Sequence, residues 1–352
     1  MHQKTVMNSD SSRLVVTTCD LCHSKLQTIA EILLLSCEAR PIVCDEITPF
    51  SKSYSRCRDD IFERLKVLSN VVKDLMSQIY TVTVRWQDIT AGVVEMTNFV
   101  AKLVECCDNI AYLVAISFPN CSPALPGVVD KYQVSLANLE LKLYCSRLKR
   151  SRLDDLNPQI LVETCSSISK SLAVMTEICR QASELTQDHN DQEQFKLCVK
   201  SVTSSASCLI SSIKSFKSRP NAVHLGRIIA FCDPVISSSS AMASFSTEQG
   251  FIGTPAELTS DAKDIHKSIL GATLSVISSC IQICKSVRDL VYDIMNSRHR
   301  DRVIMCAETI DRASAKLRDI LSCYNLDDTS SNSSSTGTSV STKSSTVSSN
   351  SR

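Results

Sequence analysis

Hydrophobic residues recur at every third or fourth position through nine consecutive segments of the chain. This spacing places apolar side chains on one face of an α-helix and does not fit the two-residue alternation of a strand. The pattern therefore predicts an all-α fold of nine amphipathic helices. Helices one to four span about 12–39, 53–80, 86–117 and 128–149. The fifth and sixth helices start near residues 157 and 190, and helices seven to nine span about 221–246, 256–295 and 298–323.

Several residues predict where helices start or bend. Pro234 lies inside the seventh helix, where its missing N–H leaves the carbonyl of Ala230 without a partner and predicts a kink. A cap residue followed by proline, or a cap residue followed three positions later by glutamate, is typical of a helix N-terminus. Such signals occur at Asn157-Pro158, at Asn190 with Glu193, and at Thr254 with Glu257.

Two clusters of helix-breaking residues, Pro119 to Gly127 and Gly250 to Pro255, flank helices four to seven. Four amphipathic helices can close a bundle by themselves. We therefore expect a four-helix bundle inserted into a five-helix bundle that is formed by the chain on either side. The expected domains are a discontinuous five-helix bundle of residues 12–123 and 255–324 and an inserted bundle of residues 124–254.

The last segment, residues 327–352, contains 17 Ser or Thr residues among 26 and no aromatic residue. A segment of this composition cannot bury enough apolar surface to fold. We expect it to be a disordered C-terminal tail.

The amino-acid composition argues against several classes of fold and of binding partner. Seven glycines in 352 residues are too few for folds with many tight turns, and 38 basic against 37 acidic residues give no excess for nucleic-acid binding. The 18 cysteines occupy mostly apolar helical positions, which predicts free thiols in a reducing, cytoplasmic compartment. No uninterrupted apolar run approaches 18 residues, so no membrane span is expected.

The sequence contains few candidate catalytic, cofactor-binding or metal-binding motifs. The sequence has no phosphate-binding glycine loop and none of the common hydrolase or metalloprotease motifs, so neither an enzyme nor a cofactor is expected. Cys19, Cys22 and His23 match a haem-attachment pattern, or half of a zinc site that Cys37 and Cys44 could complete. These cysteines fit an apolar helix face better, and no metal site is expected.

Several segments resemble the talin rod domain-containing family, small relatives of the talin rod, over about residues 13–323. The matching runs stand in the same order and are Cys19-Asp20-x-Cys22, Leu33-Leu34-Leu35-Ser36-x-Glu38-Ala39-Arg40-Pro41, Gly127-Val128-Val129-Asp130-x-Tyr132, Glu193-Gln194-Phe195-Lys196-Leu197, Thr203-Ser204-Ser205-Ala206-Ser207 and Ala272-x-x-Ser275-Val276.

The resemblance implies a fold like the paired seventh and eighth rod domains of talin, and a homodimer that binds and bundles F-actin in actin-rich protrusions. It places Phe231 at a dimer contact of the inserted bundle, with Pro234 kept beside it. Without the resemblance, Phe231 would be interpreted as a core residue.

Two basic groups are candidates for contact with acidic actin filaments: Arg147, Lys149, Arg150 and Arg152 at the end of the fourth helix, and Lys196, Lys200, Lys214 and Lys217 along the sixth. The residues alone favour a basic helix C-terminus for the first group and a solvated helix face for the second. Two functions stay open: a homodimeric actin crosslinker, or an adaptor whose grooves bind amphipathic helices of cytoskeletal or adhesion proteins.

Overall fold

The computed structural model describes residues 9–35, 39, 54–81, 84–294 and 296–324, which form helices joined by short connections. The all-α prediction is confirmed, because the strands in this part of the chain are two residues long. The helices are α1 (Ser9–Leu35), α2 (Tyr54–Ile79), α3 (Trp86–Ile116), α4 (Lys131–Arg150), α5 (Pro158–Leu185), α6 (His189–Ser218), α7 (Ala222–Ser246), α8 (Gln249–Ile252), α9 (Ser260–Leu290) and α10 (Ser297–Ser322).

One hydrophobic cluster is built from α1, α2, α3, α9 and α10, so it joins segments from both ends of the chain. Most of its buried side chains are Leu, Ile, Val and Cys, and among them Leu26, Ile61 and Ile110 are fully buried. Because burial of one such side chain stabilises by roughly 1.5–3 kcal/mol, this cluster holds the two distant segments together.

A second cluster is built from α4, α5, α6 and α7. Each of these helices packs on the next, and α7 also packs on α4, so the four form a closed ring in which α4 and α6 are diagonal. Phe195 makes edge-to-face contacts with Phe245 and Phe251 at ring-centroid distances of 4.8 and 4.9 Å. We propose that the two clusters are the cores of separate bundles, one inserted into the other.

The two connections between the clusters pair with each other. Strand β1 (Leu125–Pro126) is antiparallel to β2 (Gly253–Thr254), and Ser122 forms a further bridge with Glu257. A Cβ atom on Gly127 would lie 2.1 Å from the carbonyl oxygen of Phe251, which is closer than packed atoms approach. The joint therefore requires a residue without a side chain at this position.

The same pairing corrects the predicted start of the helix expected over about residues 256–295, which is α9. Thr254 lies in β2, and the backbone of Glu257 pairs with Ser122, so neither residue caps a helix; α9 begins at Ser260. The predicted cap at Asn190 is also wrong by two positions, because the side chain of Asp188 accepts from the backbone N–H groups of Asn190 and Asp191.

Two other sequence expectations for the helices can be compared with the structure. Asn157 caps α5 as predicted, accepting from the N–H of Ile160 at 2.8 Å with proline at the first turn. Helix α7 continues through Pro234 from Ala222 to Ser246, and the kink there stays a prediction. The tail predicted for residues 327–352 lies outside the described residues.

Asp108 is a buried acid in the first cluster. Its side chain on α3 is 1% exposed, and within the described chain neither carboxylate oxygen accepts a hydrogen bond. Burial raises its pKa well above the ordinary value, because ionisation would place an unpaired charge in an apolar interior.

By length and composition, two described helices are apolar enough to cross a membrane. An 18-residue window in each of α7 and α9 carries at most two charged residues. The sequence expectation considered only uninterrupted apolar runs, so it did not single out these two helices. Each helix supplies core residues to a cluster, and core helices pass the same test, so the finding is weak support for a membrane span.

We predict that residues 124–254, expressed alone, fold as a helical bundle. Both cuts fall outside the four helices of the second cluster, and the fragment keeps both β1 and β2. Circular dichroism should show high helicity and one cooperative melting transition. A fragment with little helicity would contradict an independently folding insertion.

We also predict that Gly127→Ala lowers the stability of the intact chain by about 1–3 kcal/mol, because the added methyl group would overlap the backbone of Phe251. Gly226→Ala is the matched control: Gly226 lies inside α7 with open space around it, so alanine should stabilise by about 0.5–1 kcal/mol. Chemical denaturation measures both. Equal effects of the two substitutions would show that the joint is not tightly packed.

Candidate interaction surfaces

Phe231 lies at the edge of the second cluster. It is half-buried and packs against the core, whereas Cys232 and Val235 on the same helix are fully buried. Pro234 is exposed, and Asp233 beside it is exposed as well. Phe231 is therefore neither an ordinary core residue nor an isolated surface residue, and part of its ring is available to a partner.

Arg147 on α4 does not lie on an open surface. It is half-buried, and burial lowers its pKa, while the neighbouring Tyr144, Glu163 and Cys22 oppose that shift. Cys22 belongs to α1, so Arg147 is near the contact between α1 and α4. Guanidinium remains charged under such conditions, but a side chain held between two clusters is poorly placed to contact a filament.

The other three cations of this group differ in their surroundings. The Nζ atom of Lys149 lies 2.6 Å from Oδ1 of Asp233 on α7, so its charge is already paired. Arg150 and Arg152 are exposed, and within the described chain neither side chain forms an ion pair. The predicted four-cation patch thus offers two unpaired cations.

The four lysines on α6 are all exposed, but they form two separate pairs. Lys196 donates to Glu193 at 2.7 Å, which lowers the pKa of that carboxyl, and Lys200 lies one turn further on. Along the helix axis, Lys214 stands about 27 Å and Lys217 about 32 Å from Lys196. Near them, burial raises the pKa of Cys165 on α5, and the two lysine charges oppose that shift.

The structure contains a groove between α5 and α6 that the sequence pattern did not predict. It has a volume of about 270 Å³ and is lined by Cys179, Arg180, Ser183, Glu184, Lys196, Val199 and Lys200. At its edge Arg180 bonds both Glu177 and Glu184, and the hydrogen bonds that Glu177 accepts from Arg180 and Gln181 lower its pKa to about 2. The spacing of three and four residues between these charges was visible in the sequence as a helical ion-pair pattern.

The two basic groups do not merge into one surface. They lie on α4 and α6, which are diagonal in the ring of four helices. Phe231 lies on α7, which is packed between them. The structure therefore presents separate surfaces around the second cluster, and at the α6 end Lys214 and Lys217 are exposed and form no ion pair with other described residues.

A wider cleft of about 700 Å³ lies between the two clusters. Its lining includes Lys25, Lys102 and Lys170 but also Glu105 and Glu140. Glu140 accepts a hydrogen bond from Ser171 at 3.1 Å. The lining also includes Arg64, so both signs of charge line this cleft, with the cations in excess.

Cys19, Cys22 and His23 form no metal site with other described residues. Both cysteines are buried in the first cluster, and burial raises the pKa of Cys19 to about 12. Protonated thiols are poor metal ligands. Cys37 and Cys44, which would have completed a zinc site, lie outside the described residues.

Comparison with known proteins identifies the class. The sequence model of the Talin IBS2B domain matches residues 63–249, more than half of the chain. Talin of Oscarella pearsei is 25% identical over 277 residues, covering 77% of this chain and 10% of that protein. Talin-1 of Gallus gallus is 23% identical over 273 residues, covering 77% and 10%. Talin-2 of Homo sapiens is 22% identical over 238 residues, covering 68% and 9%.

These matches define a helical protein of the talin rod class. The chain belongs to the talin rod domain-containing family, as the sequence motifs implied. It spans about a tenth of the length of these talins.

We predict that reversing the charges of Lys214 and Lys217 together weakens F-actin binding about tenfold, because two unpaired surface cations are lost and two like charges face an acidic filament. The double variant Lys196→Glu/Lys200→Glu is the matched control on the same helix. It should weaken binding less than threefold, since Lys196 is already paired with Glu193. High-speed co-sedimentation measures both affinities. Equal losses in the two variants would exclude a contact confined to the Lys214 end.

Proposed function

We propose that the protein is a cytoplasmic, non-enzymatic component of the actin cytoskeleton, including its protrusions, that binds F-actin and bundles filaments as a homodimer. Membership of the talin rod domain-containing family supports a cytoskeletal role. The observation that carries dimerisation is the half-buried ring of Phe231 on α7, next to the exposed Pro234.

A symmetric dimer would bury this ring twice, once from each copy. Completing the burial of an aromatic side chain stabilises by at most roughly 1.5–3 kcal/mol, so two copies contribute up to about twice that amount. Each protomer would bring its own basic surface, and a particle with two filament sites crosslinks filaments that a monomer only decorates.

Phe231→Asp tests this proposal. The substitution should weaken dimerisation by roughly a hundredfold or more, because it removes both rings and places two carboxylates near the symmetry axis. The variant should be a helical monomer that no longer pellets actin bundles at low speed, while its binding to single filaments at high speed changes much less. Light scattering, circular dichroism and sedimentation are measured on one preparation.

Two control substitutions separate an interface from a core position. Val223→Asp changes a 65% exposed residue of the same helix and should leave a dimer that bundles normally. Phe195→Asp changes a fully buried ring in the same cluster and should lose helicity and melt at a lower temperature. A Phe231→Asp protein that remains dimeric, or that loses helicity as Phe195→Asp does, would defeat this account.

The groove between α5 and α6 favours a second function, that of an adaptor for amphipathic helices of cytoskeletal or adhesion proteins. Its lining includes the apolar Val199 and Cys179 together with three cations, Arg180, Lys196 and Lys200, and one carboxylate, that of Glu184. Such a groove accepts a helix with an apolar stripe flanked by acidic residues. Under this function the wild-type protein would bind filaments without pelleting bundles at low speed.

A further inference from the structure

The cleft of about 700 Å³ lies where the two hydrophobic clusters meet, and side chains of α1, α2, α3, α4 and α5 line it. Its volume is within the range of about 300–1,000 Å³ that small-molecule sites usually have. The first three of these helices belong to the first cluster, and the other two belong to the second. A molecule bound in this cleft would therefore contact both clusters at once.

Four cations line the cleft, and each comes from a different helix: Lys25 from α1, Arg64 from α2, Lys102 from α3 and Lys170 from α5. Within the described residues, none of these four side chains forms an ion pair. Four unpaired positive charges around one cleft repel each other, and an anion between them would relieve that repulsion.

Arg64 supplies an observation that is independent of the charges. Its Nε atom is buried, and within the described chain no acceptor receives a hydrogen bond from it. A buried donor without an acceptor is costly to the protein. Guanidinium presents its N–H groups in a planar fork that matches two oxygen atoms of one phosphate group. The side chain is therefore suited to hold an oxyanion in the cleft.

The two carboxylates in the lining restrict which anion would fit. Glu140 accepts a hydrogen bond from Ser171 at 3.1 Å, and Glu105 follows Lys102 by one turn of α3. Both would repel a singly charged acid, so the ligand needs several negative charges to be attracted by the four cations. Cations on four helices around a cleft match charges on several sides of one compact molecule better than a row of charges along a peptide. Phosphate groups attached to a small ring have this arrangement.

We propose that the cleft binds a small molecule with several phosphate groups on a ring, of the inositol polyphosphate class, and that this ligand ties the first cluster to the second. Lys25, Arg64 and Lys102 would hold phosphate groups from the side of the first cluster, and Lys170 from the side of the second. The site involves neither Phe231 nor the α6 lysines, so it is independent of the proposals for dimerisation and filament binding.

Isothermal titration calorimetry of the full chain with inositol hexakisphosphate tests the proposal. We expect one molecule to bind per chain, and to bind more weakly at high salt because the attraction is between charges. At about a hundred times its dissociation constant, the molecule should raise the melting temperature by about 3 °C, because it binds the folded state and not the unfolded chain. A chain that does not bind this molecule would contradict the proposal.

Lys102→Gln/Lys170→Gln removes one cleft cation from each cluster and should weaken binding at least about tenfold. Both lysines are exposed, so the variant should keep the helicity of the wild type in circular dichroism. The matched control is Lys263→Gln/Lys267→Gln, which removes two exposed lysines of α9 that do not line the cleft. It lowers the net charge equally and should change the affinity less than about twofold. Equal losses in the two variants would indicate nonspecific attraction to positive charge and would overturn the proposal.

Two further probes define the ligand. A poly-glutamate peptide that binds as tightly as inositol hexakisphosphate would overturn the preference for phosphate. Vesicles that contain phosphatidylinositol bisphosphate distinguish the source of the phosphate groups. If the protein sediments with these vesicles and free inositol hexakisphosphate releases it, the ligand is a lipid headgroup, and if the protein stays in solution, the ligand is a soluble molecule. Either result supports the proposal when the free molecule binds and the cleft variant does not.

Discussion

The architecture depends on a close backbone contact where the chain leaves the first cluster and returns to it. Gly253 has a positive φ of 68°, and a Cβ atom there would lie 2.1 Å from the carbonyl oxygen of Leu125. Gly127 is equally restricted from the other side. With so few glycines in the chain, two of them stand at this joint. The pairing of β1 with β2 keeps both connections side by side, so the segment that leaves the first cluster returns beside its starting point, and α1, α2 and α3 share one hydrophobic cluster with α9 and α10.

The packing of α1 on α4 determines which surfaces of the second cluster remain available. Leu21 of α1 packs against that cluster, and Lys25 lies over the ring of Tyr144 at 5.7 Å. This contact occupies one side of α4 and leaves Arg147 half-buried. The α6 lysines and the α7 face near Phe231 are on the other helices of the ring. The surfaces proposed for filament binding and for self-association therefore involve different residues of the second cluster.

The sequence predicted those features that depend on local spacing. The helical class follows from the apolar periodicity, and the cap at Asn157 follows from residues that are neighbours in the chain. What it could not predict are contacts between distant residues. The helix start predicted at Thr254 is wrong, because this residue lies in β2 and pairs with β1, more than 120 positions earlier in the chain. Likewise, the ion pair between Lys149 and Asp233 joins residues separated by 84 positions, and it removes one cation from a patch that looked uniform in sequence.

The buried carboxyl group of Asp108 makes the stability of the fold depend on pH. In the unfolded chain this group ionises at ordinary carboxyl values, whereas in the folded chain its pKa is raised by burial. Between these two values folding takes up a proton, so the contribution of Asp108 makes the folded state less stable as the pH rises through that interval. Most acidic residues in proteins act in the opposite direction, because their folded pKa is lowered by partners. Helix α3 thus contains one buried group whose contribution to the stability of the folded state becomes more favourable as the pH falls.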